Sequence, residues 1–292
     1  MQFPRSIETK KTKYEIQKED RIMSLQYHIK ASAEDIAPYV LLPGDPHRVP
    51  LVASLWDEAR KIADNREHIT YTGTYKGMPI TCTSTGMGCP STAIAVEELA
   101  RCGAKTLLRM GTSAGISSKV KRGDITIFDS ACRFEGTTKC YVPPEYPAVA
   151  DHEIVEASIQ VAKRMGLPYH VGTSRCIDAL FSNRPDPNTS FNGYRRHDWD
   201  YFLSDLQNMN VIAGEMESAA VMVLSRIFGL RGGALCICLA SLTQPNQEGK
   251  ELDVSSISYD GGSIGLLNKV AVETMYQIYL NDQASEGNRI SG

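Results

Sequence analysis

Pro43-Gly44-Asp45-Pro46-His47-Arg48 places a glycine turn and an arginine directly behind the apolar run Tyr39-Val40-Leu41-Leu42. A buried strand that ends in a glycine turn leaves backbone N–H groups unpaired, and the arginine adds a planar fork of fixed positive charge. Together they suit an oxyanion, phosphate above all. A second stretch has the same character. Ala104-Lys105-Thr106-Leu107-Leu108 reads as a strand and runs into Arg109-Met110-Gly111-Thr112-Ser113-Ala114-Gly115. In open α/β sheets, ligands bind beyond the ends of parallel strands. Two such loops on one chain point to a protein that holds phosphate as a reactant. A third piece, Glu215-Met216-Glu217-Ser218, follows Gly214 and is expected to open a helix. Neighbouring acids at a helix start are commonly solvated and favoured by the dipole. The alternative is that one carboxylate, a pure acceptor, takes both hydroxyls of a cis-diol while the methionine packs on the sugar's apolar side.

The elements that must position these residues alternate along the chain. Strands are expected at 39–42, 79–85, 104–109, 124–128, 171–176 and 234–242, and helices at 90–102, 152–165, 216–228 and 264–279. In the helix at 90–102, Ala93, Val96, Leu99 and Ala100 make an apolar stripe that leaves Glu97 and Glu98 off it. The alternation implies an α/β fold, a single domain with a central mixed sheet flanked by helices on both faces. One long irregular piece, 182–197, is rich in Asn, Pro, Asp, Arg and Gly and reads either as a specificity loop or as a plain surface insertion.

Bulk properties narrow the function classes. The chain has 292 residues, 42% hydrophobic and 22% charged, with a net charge of -3. That is an ordinary globular balance with no basic field for nucleic acid or an anionic membrane. No apolar run approaches the roughly 20 residues that span a bilayer. Residues 1–22 are mostly polar, lack the apolar segment of a secretory signal, and read as a flexible extension ahead of one domain at 23–292. The eight cysteines include no Cys-x-x-Cys pair, and most lie in apolar runs. Buried reduced thiols in a cytoplasmic protein are favoured over zinc or disulfides.

The order of the motifs resembles the uridine phosphorylase branch of the hexameric-type nucleoside phosphorylases. The likeness runs from about Tyr27 to Tyr279. It includes Ser84-Thr85-Gly86-Met87-Gly88-Cys89-Pro90-Ser91, Val96-Glu97-Glu98-Leu99, Leu108-Arg109-Met110-Gly111-Thr112 and Glu215-Met216-Glu217-Ser218-Ala219. Arg133-Phe134-Glu135-Gly136-Thr137 with Tyr146-Pro147-Ala148-Val149-Ala150-Asp151 is especially close. The resemblance implies phosphorolysis of uridine or a related pyrimidine nucleoside to free base and ribose 1-phosphate. Gly44, Arg48, Arg109 and Thr112 would bind phosphate, joined by Arg66 from a neighbouring subunit. Met216 and Glu217 would hold the ribose, with His28 crossing an interface to the 5'-hydroxyl. Arg109 and Glu217 would carry the catalysis. Glu67, Met87 and Ser91 match positions that hold a monovalent cation, often potassium, in some relatives, and a structural role is the equal alternative. No other cofactor is implied. The partners would be nucleoside, phosphate and further copies of the chain, assembled as a hexamer of three dimers, with no nucleic acid and no membrane.

The base pocket departs from the family pattern. The glutamine and arginine that read uracil are replaced by the stretch Asp178-Ala179-Leu180-Phe181-Ser182-Asn183-Arg184-Pro185. Ser113, Leu180, Phe181, Asn183 and Arg184 are the candidates to contact the base. Leu242 stands where a further arginine is usual. Purine-specific relatives carry an acid there to protonate the leaving base, and Ala240-Ser241-Leu242 has none. A purine nucleoside phosphorylase, or a nucleoside-binding member with weak or altered activity, therefore stays open as an alternative.

Overall fold

The computed structural model describes residues 25–183, 190–242 and 262–290. The expected extension at 1–22 lies outside them. Apolar runs become the strands β1 (Tyr39–Pro43), β5 (Thr106–Gly115), β6 (Ile125–Phe134), β8 (Tyr169–Ile177) and β10 (Arg231–Ser241). Between them lie α1 (Arg48–Ala53), β2 (Glu58–Asn65), β3 (His68–Tyr75), β4 (Met78–Thr83), α2 (Cys89–Arg101), β7 (Ala148–Val149) and α3 (His152–Arg164). The chain continues through α4 (Trp199–Asn208), β9 (Ala213–Glu215), α5 (Ser218–Ile227) and α6 (Ser263–Ile290).

One mixed sheet carries all ten strands, in the order β10-β6-β8-β9-β5-β1-β4-β3-β2, with β7 on the side of β6. Because β10 also pairs with β5, the strands β10, β6, β8, β9 and β5 close into a ring, and β1, β4, β3 and β2 extend from it. Side-chain alternation sorts the core. Val40, Leu42 and Leu107 face α2 and α5, while Leu41, Leu108 and Met110 face α1, α3 and α6. The single domain with helices on both faces is thus as expected. No helix among the described residues is long and apolar enough to cross a membrane.

Several sequence expectations are corrected. Glu215 does not open a helix: it ends β9, pairing in register with Cys176 of β8, and α5 starts at Ser218. The hairpin β2–β3 was not legible, because β2 is an edge strand whose residues are mostly exposed and polar. Glu98 is not solvated but 4% exposed, and its carboxylate accepts from the amides of His28 and Ile29. The described part of the irregular stretch holds a short 3-10 turn, Phe191–Gly193, ahead of α4.

Candidate active site

The site forms where β5 changes partners. Up to Met110, β5 pairs with β1; from Ala114 it pairs with β9. Between these points, Gly111, Thr112 and Ser113 have no strand partner on that edge among the described residues, so the fork leaves a cleft at the strand end. Both sequence-flagged loops open here, because the glycine turn follows β1 directly.

Arg109 lies at the fork, 5% exposed. Its Nε donates to Glu215 Oε2 at 2.7 Å, and its Nη2 pairs with Glu217 Oε2. Glu215 is saturated: it also accepts from the amides of Glu217 and Ser218, each at 2.8 Å, and from the Ser218 hydroxyl. Glu217 Oε1 accepts from the Gly88 amide at 2.6 Å, which ties the start of α2 to the start of α5. Buried charges survive only when paired and hydrogen-bonded, and this cluster meets that condition. Burial works against the Arg109 charge, but Glu217 and Glu215 beside it hold the guanidinium protonated beyond its ordinary range. Burial pushes the Glu217 carboxyl up; Arg109 opposes the shift, Glu215 adds to it, and the net displacement is upward.

Gly111 explains how so large a head fits. Arg109 and Gly111 share a face of β5, and a Cβ on Gly111 would stand 2.6 Å from Arg109 Nη2. The guanidinium lies over the bare glycine. Its Nη1 is buried with no hydrogen-bond partner among the described residues. A Cβ on Gly44 would sit 3.9 Å from that same atom. Gly44 and Arg109, predicted to share an anion, therefore meet. Arg48, 7% exposed, follows on α1, and Thr112 is half-buried on the cleft edge.

Met216 is half-buried between the two acids, and its carbonyl accepts from the Cys89 thiol at 3.3 Å. The solvated alternative for the acid pair is wrong, since both acids are buried. His28 and Arg66 do not join this cluster through any hydrogen bond or ion pair among the described residues. They lie near the β2–β3 turn, whose Glu67 packs on Gly86, itself the neighbour of Gly44. Asn65 Nδ2 donates to the His28 carbonyl at 2.7 Å, and the His28 ring sits 2.7 Å from Glu98. Arg66 is exposed in the β2–β3 turn with φ +54°. Glu67 and Ser91 are brought together, Ser91 Oγ donating to Glu67 Oε1 at 2.8 Å, and with its own amide this holds the Glu67 carboxyl below the usual range. The Met87 side chain is 83% exposed.

The base candidates are less well gathered. Ser113 is buried on the Arg109 face of β5, with its hydroxyl 3.0 Å from that of Thr126. Leu180 and Phe181 are exposed beyond β8. Asn183 is half-buried with φ +55°, its amide donating to Ser182 Oγ at 3.2 Å. Arg184 lies outside the described residues. Leu242 packs into an apolar cluster with Ile116, Leu206, Val211 and Cys132. Sequence reasoning missed Glu215 as the anchor of Arg109, the Gly88 amide, and Arg175, a buried arginine in β8. An arginine set between Ser174 and Cys176 at the buried end of β8 was the available signal for the last.

The chain is similar to known proteins. The sequence model of the phosphorylase superfamily matches residues 38–258. A uridine phosphorylase of Thermococcus kodakarensis is 48% identical over 219 residues, 74% of this chain and 78% of that protein. A guanosine phosphorylase of Halorubrum lacusprofundi is 36% identical over 231 residues, 79% of this chain and 90% of that protein. The crystal structure of a uridine phosphorylase from Vibrio fischeri superposes with a TM-score of 0.75 at 28% identity, covering 87% of this chain and 98% of the other.

Proposed function

Because the chain belongs to the phosphorylase superfamily, we propose that its site catalyses the reversible phosphorolysis of uridine, giving uracil and ribose 1-phosphate. It acts as a pentosyltransferase in nucleoside salvage. The observation that carries this reading is the buried unit Glu215–Arg109–Glu217, which links an anion-facing guanidinium to a diol-accepting carboxylate.

Phosphate sits against Arg109 Nη1, the Gly44 turn, Arg48 and Thr112. Ribose rests on Met216, with its 2'- and 3'-hydroxyls donating to Glu217. As the N-glycosidic bond breaks, the ribose gains positive charge and its bonding pair leaves with the base. A phosphate oxygen beneath the sugar stabilises that charge and then bonds to C1'. The released base takes a proton from solvent. Fixed arginines turn the encounter into a positioned one, and their charge is already in place when the transition state forms. A hydrolytic enzyme would have no use for such a clamp.

His28 and Arg66 complete the site of a neighbouring copy in this reading, within a hexamer of three dimers in the cytoplasm. The exposure of Arg66 in the β2–β3 turn, and its lack of any bond to the Arg109 cluster among the described residues, support it. Glu67 and Ser91 suit a hard monovalent cation, since both offer oxygen; Met87 would serve only through its carbonyl. The alternative substrate, guanosine, is favoured by the guanosine phosphorylase relative, but Ala240-Ser241-Leu242 supplies no acid for a purine leaving group.

The test is release of uracil from uridine with and without inorganic phosphate. Phosphate-dependent release with ribose 1-phosphate as product is expected. Equally fast release in phosphate-free buffer, yielding free ribose, overturns the proposal.

A further inference from the structure

Three arginines are buried among the described residues: Arg48, Arg109 and Arg175. The first two are assigned above to phosphate. Arg175, 3% exposed, has no place in that assignment.

Strand register shows what Arg175 shares a surface with. It pairs with Gly214 of β9; Gly214 pairs with Ala114 of β5; Ala114 pairs with Ala240 of β10. Residues opposed across neighbouring strands project to one face, so these four form a row. Thr112, two residues before Ala114, is on the same face. Thr112, Ala114 and Ala240 are half-buried, whereas Gly111 and Ser113 on the other face of β5 are buried. Thr112 lies in the stretch of β5 between its β1 and β9 partners, so the row starts at the fork, on the face of β5 opposite Arg109. Its floor is Gly214, Ala114 and Ala240, which raise almost nothing above the backbone. The Arg175 head lies on this floor: a Cβ on Gly214 would stand 2.9 Å from Nε, 3.2 Å from Cζ and 3.1 Å from Nη2. Gly214 immediately precedes Glu215-Met216-Glu217. A flat slot with a permanent cation at one end thus adjoins the sugar-holding turn.

We propose that this row seats the departing base and that Arg175 selects bases by the acceptors on their edge. The proposal rests on the nucleoside reading above. A guanidinium has donors only and does not deprotonate. It pairs with the oxo groups of uracil, hypoxanthine or guanine. The exocyclic amino group of cytosine or adenine sets donor against donor and leaves a buried group unpaired, a penalty that discriminates strongly. The base also gains negative charge as the glycosidic bond breaks, so the cation holds it more tightly in the transition state than in the ground state. A pyrimidine and a purine with oxo edges satisfy the same donors.

Two readouts test this. Titration calorimetry measures uracil, hypoxanthine, cytosine and adenine against wild type, Arg175→Met and Arg175→Gln. Phosphate-dependent kcat/KM is measured in parallel on uridine, inosine, cytidine and adenosine. In wild type, oxo bases bind at least about tenfold tighter than amino bases. Arg175→Met abolishes that ratio and lowers kcat/KM for oxo nucleosides about 100-fold with the phosphate KM unchanged. Arg175→Gln, which offers an acceptor as well as a donor, raises the amino nucleosides relative to the oxo ones, and it reads the same ratio where the methionine variant fails to fold. An unchanged oxo-to-amino ratio in the variants, or equal loss on all four nucleosides, overturns the assignment. The base titrations decide this even where turnover is absent, and phosphate dependence of wild-type turnover separately decides the phosphorylase reading.

Discussion

Replacing Gly111 with alanine adds one methyl group at the place where Arg109 has least room. The new Cβ would stand 2.6 Å from Nη2, 2.8 Å from Cζ and 3.0 Å from Cys236 Sγ. Ordinary contact begins at 3.4 Å, so the guanidinium must move by about 0.8 Å. An arginine head usually yields easily, but this one is fastened by Glu215 and Glu217. It can move only by stretching a charge-assisted bond worth about 1.5–3 kcal/mol. Gly111 is not among the residues with positive φ, so alanine suits the backbone and the contact alone is tested. A displacement near 1 Å costs on the order of 100-fold in rate, about 2.7 kcal/mol of transition-state stabilisation. Steady-state kinetics over a phosphate titration should show kcat/KM for phosphate down by about that factor. Gly265→Ala is the control: nothing lies within 4 Å of its Cβ, and alanine favours the helix. Kinetics of a folded Gly111→Ala protein within about twofold of wild type would refute the claim that this glycine seats the catalytic arginine.

Arg109→Ala should raise the phosphate KM and cut turnover at least about 100-fold, and near-normal phosphate kinetics in the folded variant would remove the central assignment. It should also melt earlier, since two buried carboxylates lose their cation. The carboxyl of Glu217 titrates above the ordinary glutamate range, and a protonated acid accepts diol hydroxyls poorly. Nucleoside affinity measured without phosphate should therefore weaken as pH falls towards the ordinary glutamate range, before an unperturbed glutamate would protonate, and a flat profile would contradict it. Far from the site, Asp282 accepts from Arg231 and Tyr39, which hold its carboxyl below the usual range. Its contribution to stability is present above the ordinary aspartate value and is lost as pH falls through the lowered one. Asp282→Asn should lower stability at neutral pH by about 1–2 kcal/mol and flatten the acid limb of the melting profile; an unchanged limb would count against it.

Local pattern was enough for the frame and for the anion loops. Runs such as Tyr39-Val40-Leu41-Leu42 bury on both faces, and only a strand between helix layers does that. Gly44, Arg109 and Glu217 stood out because glycine turns, arginines and paired acids at strand ends are chemically costly unless used. Other features escaped because their signals are not local. Strand β9 is three residues long and exists through its neighbours β5 and β8. Glu98 and Glu215 read as surface acids, yet each is buried by donors more than 60 residues away in sequence.

Side-chain chemistry along the chain thus marked the groups suited to an anion and a diol and set them at the end of a mixed sheet. Which acid anchors Arg109, which glycine it rests on, and which face of β5 meets Arg175 were decided only when β5 parted from β1 and joined β9. The reason is geometric. A strand's residue types set what it can bind, but its register against distant strands sets which of those groups converge.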